Sequence, residues 1–186
     1  MSGPEKEPRL SRNTLALAAS VWYGLMTFVA VLWLWLRDRQ EVLSSQATGE
    51  VGALVSLLIG AVAGFGISGV IWLLARYLPP FARLESRLKD AVGEPAEAEI
   101  VVIALASAIG EEIFFRGALL DQVGPYFSTL IFGLLHTGPA LLLWGLMATV
   151  LGLVFAMMVE GGLGLLSVTV AHALINFITL RRMVPS

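Results

Sequence analysis

The chain has 186 residues, of which 57% are hydrophobic and only 14% are charged, and its mean hydropathy is +0.82. Soluble domains carry about a quarter charged residues, so this composition excludes an ordinary soluble domain and is typical of a membrane protein. The net charge of −2 offers no basic surface for nucleic acid, and the absence of cysteine excludes disulfides, thiolate metal sites and a cysteine nucleophile. The length predicts one integral membrane domain over residues 1–186.

Two long apolar segments come first. Residues 15–36 contain 22 uncharged positions and residues 51–75 contain 25, whereas a membrane-spanning helix needs about 20. We predict a membrane helix for each segment. Gly60 and Gly64 lie in the second one, at a spacing that places both on one helix face and lets a neighbouring helix approach closely.

The segment 79–93, PPFARLESRLKDAVG, follows the second apolar segment. Phe81, Leu84, Leu88 and Val92 recur at helical spacing, and charged residues fill the opposite face. This pattern predicts an amphipathic helix that lies in the cytoplasmic interface. Two roles remain open for it, namely a connector that covers the bundle and a guide for a substrate.

Four further membrane helices are predicted in the second half of the chain. They cover residues 100–120, a short helix at 125–137, residues 140–159 and residues 163–180, with breaks at Gly124-Pro125 and Gly138-Pro139. The fold class is therefore all-α, a polytopic transmembrane helical bundle with about six membrane helices plus one interfacial amphipathic helix.

Lysine and arginine residues indicate the orientation of this bundle. With six membrane helices, only Arg37 and Arg39 fall on one side. Nine basic residues fall on the other side: Lys6, Arg9, Arg12, Arg76, Arg83, Arg87, Lys89, Arg181 and Arg182. Both termini are therefore predicted to be cytoplasmic.

Three ionisable residues lie within the apolar third membrane helix, in the stretch GEEIFFRG at 110–117. A charged residue at the centre of a membrane helix costs ~2.5–3.5 kcal/mol on insertion scales, so such residues are functional candidates. Glu112 and Arg116 are four residues apart and can form an ion pair. Glu111 is turned about 100° around the helix, has no such partner there, and suits proton transfer. A purely structural role for all three is the alternative.

Two histidines lie in later apolar helices. His136 ends the short fourth helix, and His172 is followed one turn later by Asn176 in the sixth helix. At ~1.5 Å per residue, Glu111 and both histidines lie about 14–16 Å from a membrane face and could meet near mid-depth. The four groups suit hydrolysis, with Glu111 and His136 polarising a water and the other two stabilising an oxyanion. Alternatively, Glu111, His136 and His172 could ligate zinc, with water in the fourth position.

These residues form three motifs that resemble those of the CPBP intramembrane proteases. That family includes the type II CAAX prenyl endopeptidases and the bacterial bacteriocin-processing or immunity proteins, also called Abi proteins. Its pattern is E-E-x-x-x-R, then F-x-x-x-H, then H-x-x-x-N/D. In this chain the motifs are 111–116, 132–136 and 172–176, in that order and without gaps. The resemblance covers about residues 100–180, the predicted catalytic core.

The resemblance implies an intramembrane endopeptidase that hydrolyses a peptide bond of a membrane-associated protein or peptide, in a bacterial inner membrane. It implies that Glu111 and His136 activate water, that His172 and Asn176 act at the oxyanion, and that Glu112 and Arg116 form a supporting pair. No cofactor is expected, with zinc as the alternative. The substrate could be a prenylated CAAX protein, a bacteriocin or leader peptide, or a C-terminal sorting tag.

Two rival interpretations use other features of the sequence. Gly66-Ile67-Ser68-Gly69 spells the G-x-S-G of rhomboid serine proteases, with His172 as a possible base. Rhomboids, however, bring their serine late in a six-helix core, and this interpretation leaves Glu111 and His136 unexplained. The second rival is a non-catalytic membrane binding or immunity protein with the same fold. A transporter is disfavoured because the sequence has no inverted repeat.

Overall fold

The structure is a computed structural model, and it describes residues 14–138 and 141–184. Lys6, Arg9, Arg12, Pro139 and Ala140, which the predicted orientation and helix limits used, lie outside the described residues. The described residues form helices and no strand, which confirms the all-α bundle. The helices are α1 Thr14–Leu36, α2 Glu41–Ser45, α3 Ala53–Tyr77, α4 Pro79–Val92, α5 Glu97–Glu112, a π-helical segment Ile113–Leu119, α6 Leu120–Leu135, α7 Leu142–Glu160 and α8 Gly164–Met183.

Four of the described helices, α1, α3, α7 and α8, are long and apolar enough to cross a membrane. The third membrane helix, predicted for residues 100–120, is not one uninterrupted α-helix. Instead, α5 continues directly into the π-helical segment and then into α6. Large apolar side chains of α1, such as Trp22, Phe28 and Trp35, are exposed on the outside of the bundle. Exposed apolar surface of this extent suits lipid rather than water, so the chain is a membrane protein.

The predicted break at Gly124 is present inside α6. Gly124 has φ 77° and ψ 173°, a conformation that is open to glycine and costly for other residues, and Pro125 follows it. The amphipathic helix predicted for residues 79–93 is α4, which begins at two prolines and ends at Gly93. In both places, the local chemistry of glycine and proline sets the boundary without help from distant contacts.

The helices α5 and α8 lie at the centre of the bundle and pack on each other. On the outer side of α8, α3 approaches closely through its small residues. A Cβ atom on Gly60 would overlap the Ser167 carbonyl oxygen, and one on Gly64 would lie 3.1 Å from the Ala171 carbonyl oxygen. Helix α1 packs on the other side of α5, and α6 packs on α7. This arrangement encloses the polar residues of α5 and α8.

Candidate active site

The two histidines converge on one oxygen of Glu111. Its Oε2 atom lies 3.8 Å from His136 Nε2 and 3.7 Å from His172 Nε2. The three residues belong to the last turn of α5, the end of α6 and the middle of α8. Both distances are longer than a hydrogen bond. The three atoms therefore face one another without direct bonds, and a bridging molecule beside them could bond to them.

The other ring nitrogen of each histidine is already engaged. His136 Nδ1 lies 2.7 Å from the Phe132 carbonyl oxygen, and His172 Nδ1 lies 2.7 Å from Glu112 Oε1. A carbonyl oxygen and an ionised carboxylate only accept hydrogen bonds, so Nδ1 carries a hydrogen in both rings. Each histidine therefore has a fixed ring orientation and presents its Nε2 atom to Glu111.

Glu112 serves two partners through a single oxygen. Its Oε1 atom accepts from Arg116 Nη1 at 2.9 Å as well as from His172 Nδ1. The Glu112 and Arg116 side chains are 0% and 1% exposed, so the charges lie fully inside the protein. The ion pair with Arg116 does not prevent Glu112 from orienting a histidine, because a carboxylate oxygen has two lone pairs.

Arg116 connects the π-helical segment to its two neighbours. Its Nη2 atom donates to the Gly152 carbonyl oxygen of α7 at 3.2 Å, and its guanidinium carbon lies 4.4 Å from the centre of the Phe132 ring of α6. An aromatic face and a carbonyl both stabilise a cation that has been removed from water. Buried in this way, Arg116 holds Glu112 in place beside His172.

The π-helical segment begins directly after Glu112 and was not predicted from the sequence. Such segments wind one extra residue into a turn and occur frequently at functional sites. The Phe115 carbonyl oxygen in this segment accepts the Ser128 hydroxyl at 2.7 Å, a bond that comes from the next helix. Because this stabilising partner is distant in sequence, no local pattern indicates the segment.

A cavity of about 360 Å³ lies beside these residues. Its walls include the four predicted catalytic residues Glu111, His136, His172 and Asn176. The apolar face of α4 also lines it, through Phe81, Leu84, Leu88 and Val92. The polar groups thus lie at the wall of a mostly apolar chamber, to which the amphipathic helix also contributes.

Ser68 is not among the described residues that line this cavity. It is buried in α3, and its hydroxyl oxygen has no hydrogen-bond partner among the described residues. The ring nitrogens of His172 both face glutamates instead. A rhomboid-type pair of Ser68 and His172 therefore has no support in this arrangement.

Tyr23 of α1 is a site residue that the sequence analysis missed. It lines the cavity, and its hydroxyl group is close enough to the Glu111 carboxylate for the two groups to interact. Gly110 permits this approach, since a Cβ atom there would lie 2.8 Å from both the Cβ atom and the carbonyl oxygen of Tyr23. A single tyrosine in an apolar helix, outside any motif, gives no sequence signal for such a role.

The donor set around Glu111 meets the chemical requirements of zinc but not its geometry. Two Nε2 atoms with engaged Nδ1 atoms and a carboxylate oxygen are chemically suitable ligands. Ligands at 2.0–2.2 Å around a tetrahedral ion lie ~3.3–3.6 Å apart, slightly less than the separations at Glu111. Among the described residues, no group of three or more His, Cys, Asp or Glu side chains is arranged to hold a metal ion. The donor chemistry fits zinc, and the ligands would have to move closer together to bind it.

Comparison with known proteins gives a family match over part of the chain. Residues 95–178 match the family model described as type II CAAX prenyl endopeptidase Rce1-like. The matched stretch contains all seven residues that define the three motifs, and it confirms the family resemblance. It supports a membrane endopeptidase, which is a peptide hydrolase. Comparison with curated proteins and with solved structures gives no match.

Proposed function

Because residues 95–178 are similar to type II CAAX prenyl endopeptidases, we propose that this protein is a glutamate-dependent intramembrane endopeptidase. It hydrolyses a peptide bond of a membrane-associated protein or peptide, with water activated by Glu111. The observation that carries this proposal is the approach of two histidine Nε2 atoms to within 3.8 and 3.7 Å of Glu111 Oε2 at the wall of one cavity.

The hydrogen-bond roles of these atoms support a water at this point. Glu111 Oε2 is buried and has no hydrogen-bond partner among the described residues. A neutral His136 has its hydrogen on Nδ1, so its Nε2 atom is a second acceptor. Two acceptors that face each other leave a position for a donor, and a water molecule has two hydrogens to donate. Water held in this way is polarised for attack on a carbonyl carbon.

The Nδ1 atoms of the two histidines have different hydrogen-bond acceptors, and this difference favours different catalytic roles for the two rings. His136 donates to a neutral carbonyl, whereas His172 donates to the Glu112 carboxylate. A carboxylate that accepts from Nδ1 stabilises an imidazole that carries a hydrogen on both nitrogens, and such a ring has an Nε2 hydrogen to donate. We therefore assign water activation to Glu111 and His136, and oxyanion stabilisation to His172 with Asn176.

The proposed reaction has two steps. The oxygen of the water bonds to the carbonyl carbon while Glu111 takes one of its protons, and the carbonyl oxygen becomes an oxyanion that accepts from His172 and Asn176. The tetrahedral intermediate then collapses, the carbon–nitrogen bond breaks, and the leaving amine takes the proton from Glu111. Glu112 and Arg116 are assigned a supporting role, because Glu112 orients His172 and Arg116 balances the charge of Glu112.

The zinc-dependent version of the same protease is the second candidate, favoured by the engaged Nδ1 atoms of both histidines. In that version Glu111, His136 and His172 would hold the ion, which would lower the pKa of a bound water. The third candidate, a binding or immunity protein without turnover, uses the same fold and needs none of this proton chemistry.

We also propose a location for the protein, a bacterial inner membrane with both termini in the cytoplasm. The distribution of lysine and arginine supports this orientation. This orientation would place α4 at the cytoplasmic interface. The part of the cavity that Phe81 and Leu84 of α4 line would then lie at the same interface. Substrate would then reach Glu111 from the cytoplasmic side of the membrane.

Comparative proteomics of membranes tests the proposal even while the substrate is unidentified. Cells that express the wild type are compared with cells that express equal amounts of Glu111→Gln. We expect at least one membrane-associated protein to acquire a new terminus only with the wild type. If the two membranes contain the same set of termini, the protein does not act as an endopeptidase under those conditions, and the non-catalytic alternative is favoured.

A further inference from the structure

The Ser107 hydroxyl group links α5 to the predicted oxyanion residue Asn176. Ser107 is buried on α5, one turn before Glu111, and it lines the same cavity. Its Oγ atom donates to the Ala104 carbonyl oxygen at 3.2 Å and accepts from Asn176 Nδ2 at 2.9 Å. The motifs that point to the family do not include Ser107, and nothing in its sequence context distinguishes it from a serine that only packs.

The direction of these two bonds determines which way the Asn176 amide points. A serine hydroxyl has one hydrogen, and here that hydrogen is directed at the Ala104 carbonyl. The hydroxyl oxygen can then only accept, so it selects the nitrogen end of the amide. A flipped amide would present Oδ1, and Ser107 could bond to it only by turning its hydrogen away from the Ala104 carbonyl, so one of the two bonds would be lost.

The same pair of helices repeats this arrangement one turn away. On α8, His172 and Asn176 are four residues apart, and each is held by a residue of α5, namely Glu112 and Ser107. Both α8 residues line the cavity. The nitrogen of Asn176 has a second hydrogen that Ser107 does not use.

We propose that Ser107 is a positioning residue, which fixes the side-chain amide of Asn176 so that its second N–H hydrogen faces the cavity. The inference rests on the proposed function in one respect, since it is the oxyanion of peptide hydrolysis that this hydrogen would meet. The orientation of the amide can be tested independently of any activity.

The first test observes the amide directly by nuclear magnetic resonance. The chain contains two asparagines, Asn13 and Asn176, so selective ¹⁵N-asparagine labelling in detergent micelles gives two pairs of side-chain amide signals, and Asn13→Gln leaves one pair. We expect Ser107→Ala to shift the two Asn176 amide protons, and Ser107→Thr, which keeps the hydroxyl, to leave them near their wild-type positions. The matched control is Ser68→Ala, a buried serine outside the cavity lining, which should shift nothing. Unchanged Asn176 signals in Ser107→Ala would overturn the inference.

The second test is a double-mutant cycle on catalysis. The probe is an internally quenched peptide, selected from a library because wild type cleaves it and Glu111→Gln does not. We expect Ser107→Ala to lower kcat on the order of tenfold with KM unchanged, because one orienting hydrogen bond is lost. In the Asn176→Ala background, the same change should cost less than about twofold, since Ser107 then has nothing to orient. If the decreases in kcat of the two single variants multiply in the double variant, Ser107 acts independently of Asn176, which contradicts the inference.

The two tests separate the inference from the proposed function. If no peptide is cleaved in a Glu111-dependent manner, the proposed function fails, and the resonance experiment still decides the orientation of Asn176. If a peptide is cleaved and Ser107→Ala matches wild type in both experiments, the inference alone fails.

Discussion

Glu112 Oε1 and His172 Nδ1 lie 2.7 Å apart across the contact between α5 and α8. The same oxygen is 2.9 Å from Arg116 Nη1, so the arginine, the glutamate and the histidine form one chain of charge-assisted hydrogen bonds. The ion pair predicted within one helix is therefore also the support of a histidine from another helix. A change at Arg116 is expected to reach the histidine through Glu112.

Replacing Arg116 by alanine would leave Glu112 buried without its cation. Breaking a buried pair costs about 3–5 kcal/mol in soluble proteins, so we expect a clear loss of thermal stability together with a loss of activity. The double variant Glu112→Leu with Arg116→Met removes both charges and should recover part of the stability while remaining inactive. Thermal unfolding in detergent measures this. An Arg116→Ala protein that is inactive and as stable as wild type would mean that Arg116 acts in catalysis or in substrate binding, and would contradict the structural role of the pair.

Ser68 provides a test against the rhomboid mechanism. Because Ser68 is packed in α3 and does not line the cavity, Ser68→Ala should retain activity within about twofold. A fluorophosphonate probe, which reacts with activated serines, should not label the wild type. Labelling at Ser68, or a folded but inactive Ser68→Ala protein, would support a serine nucleophile.

The helices and the motif residues could be predicted because the features that indicate them are local in the sequence or depend on the total hydrophobicity of a segment. Gly124 and Pro125 end a helix by their own backbone chemistry, and the spacing of Glu112 and Arg116 is that of one helical turn. The position of Glu111 in an apolar helix was enough to mark it as a candidate functional residue, because this too is visible in the local sequence. The meeting of Glu111 with two histidines followed from estimating their depth along separate helices, which requires only the helical rise.

The features that could not be predicted all depend on contacts between helices. The π-helical segment is supported by Ser128 of α6, and the hydroxyl group of Tyr23 reaches Glu111 because α1 lies against Gly110. The second partner of Glu112 belongs to α8, 60 residues further along the chain. No pattern within one segment carries this information, since each contact is created when two helices pack.

Tyr23 is expected to support Glu111 through its hydroxyl group. Tyr23→Phe keeps the ring and its packing but removes the donor, so we expect activity to fall about tenfold or more with thermal stability almost unchanged. Tyr126, which is exposed, provides the matched control, and Tyr126→Phe should behave like wild type. Equal activity of the two variants would remove Tyr23 from the site.

Zinc analysis decides between the two hydrolytic mechanisms. A water activated by Glu111 and His136 requires no ion, so we expect purified protein to contain less than one equivalent of zinc. Activity should then survive prolonged treatment with 1,10-phenanthroline, a chelator that enters membranes. Stoichiometric zinc, together with inactivation that added zinc reverses, would make Glu111, His136 and His172 ligands and would favour the second candidate.

The most direct test of the central claim is the cleavage rate of purified Glu111→Gln. Glutamine keeps the shape of the side chain but cannot take the proton of a water, and removal of a general base typically costs 10²–10⁴-fold in rate. We predict that the variant folds and has a thermal stability close to that of wild type. On a quenched peptide that is a substrate of the wild type, we predict that the cleavage rate of the variant is lower by a factor of at least about 100. A folded Glu111→Gln protein that cleaves peptides at a rate within about threefold of wild type would contradict the assignment of Glu111 as the group that activates water.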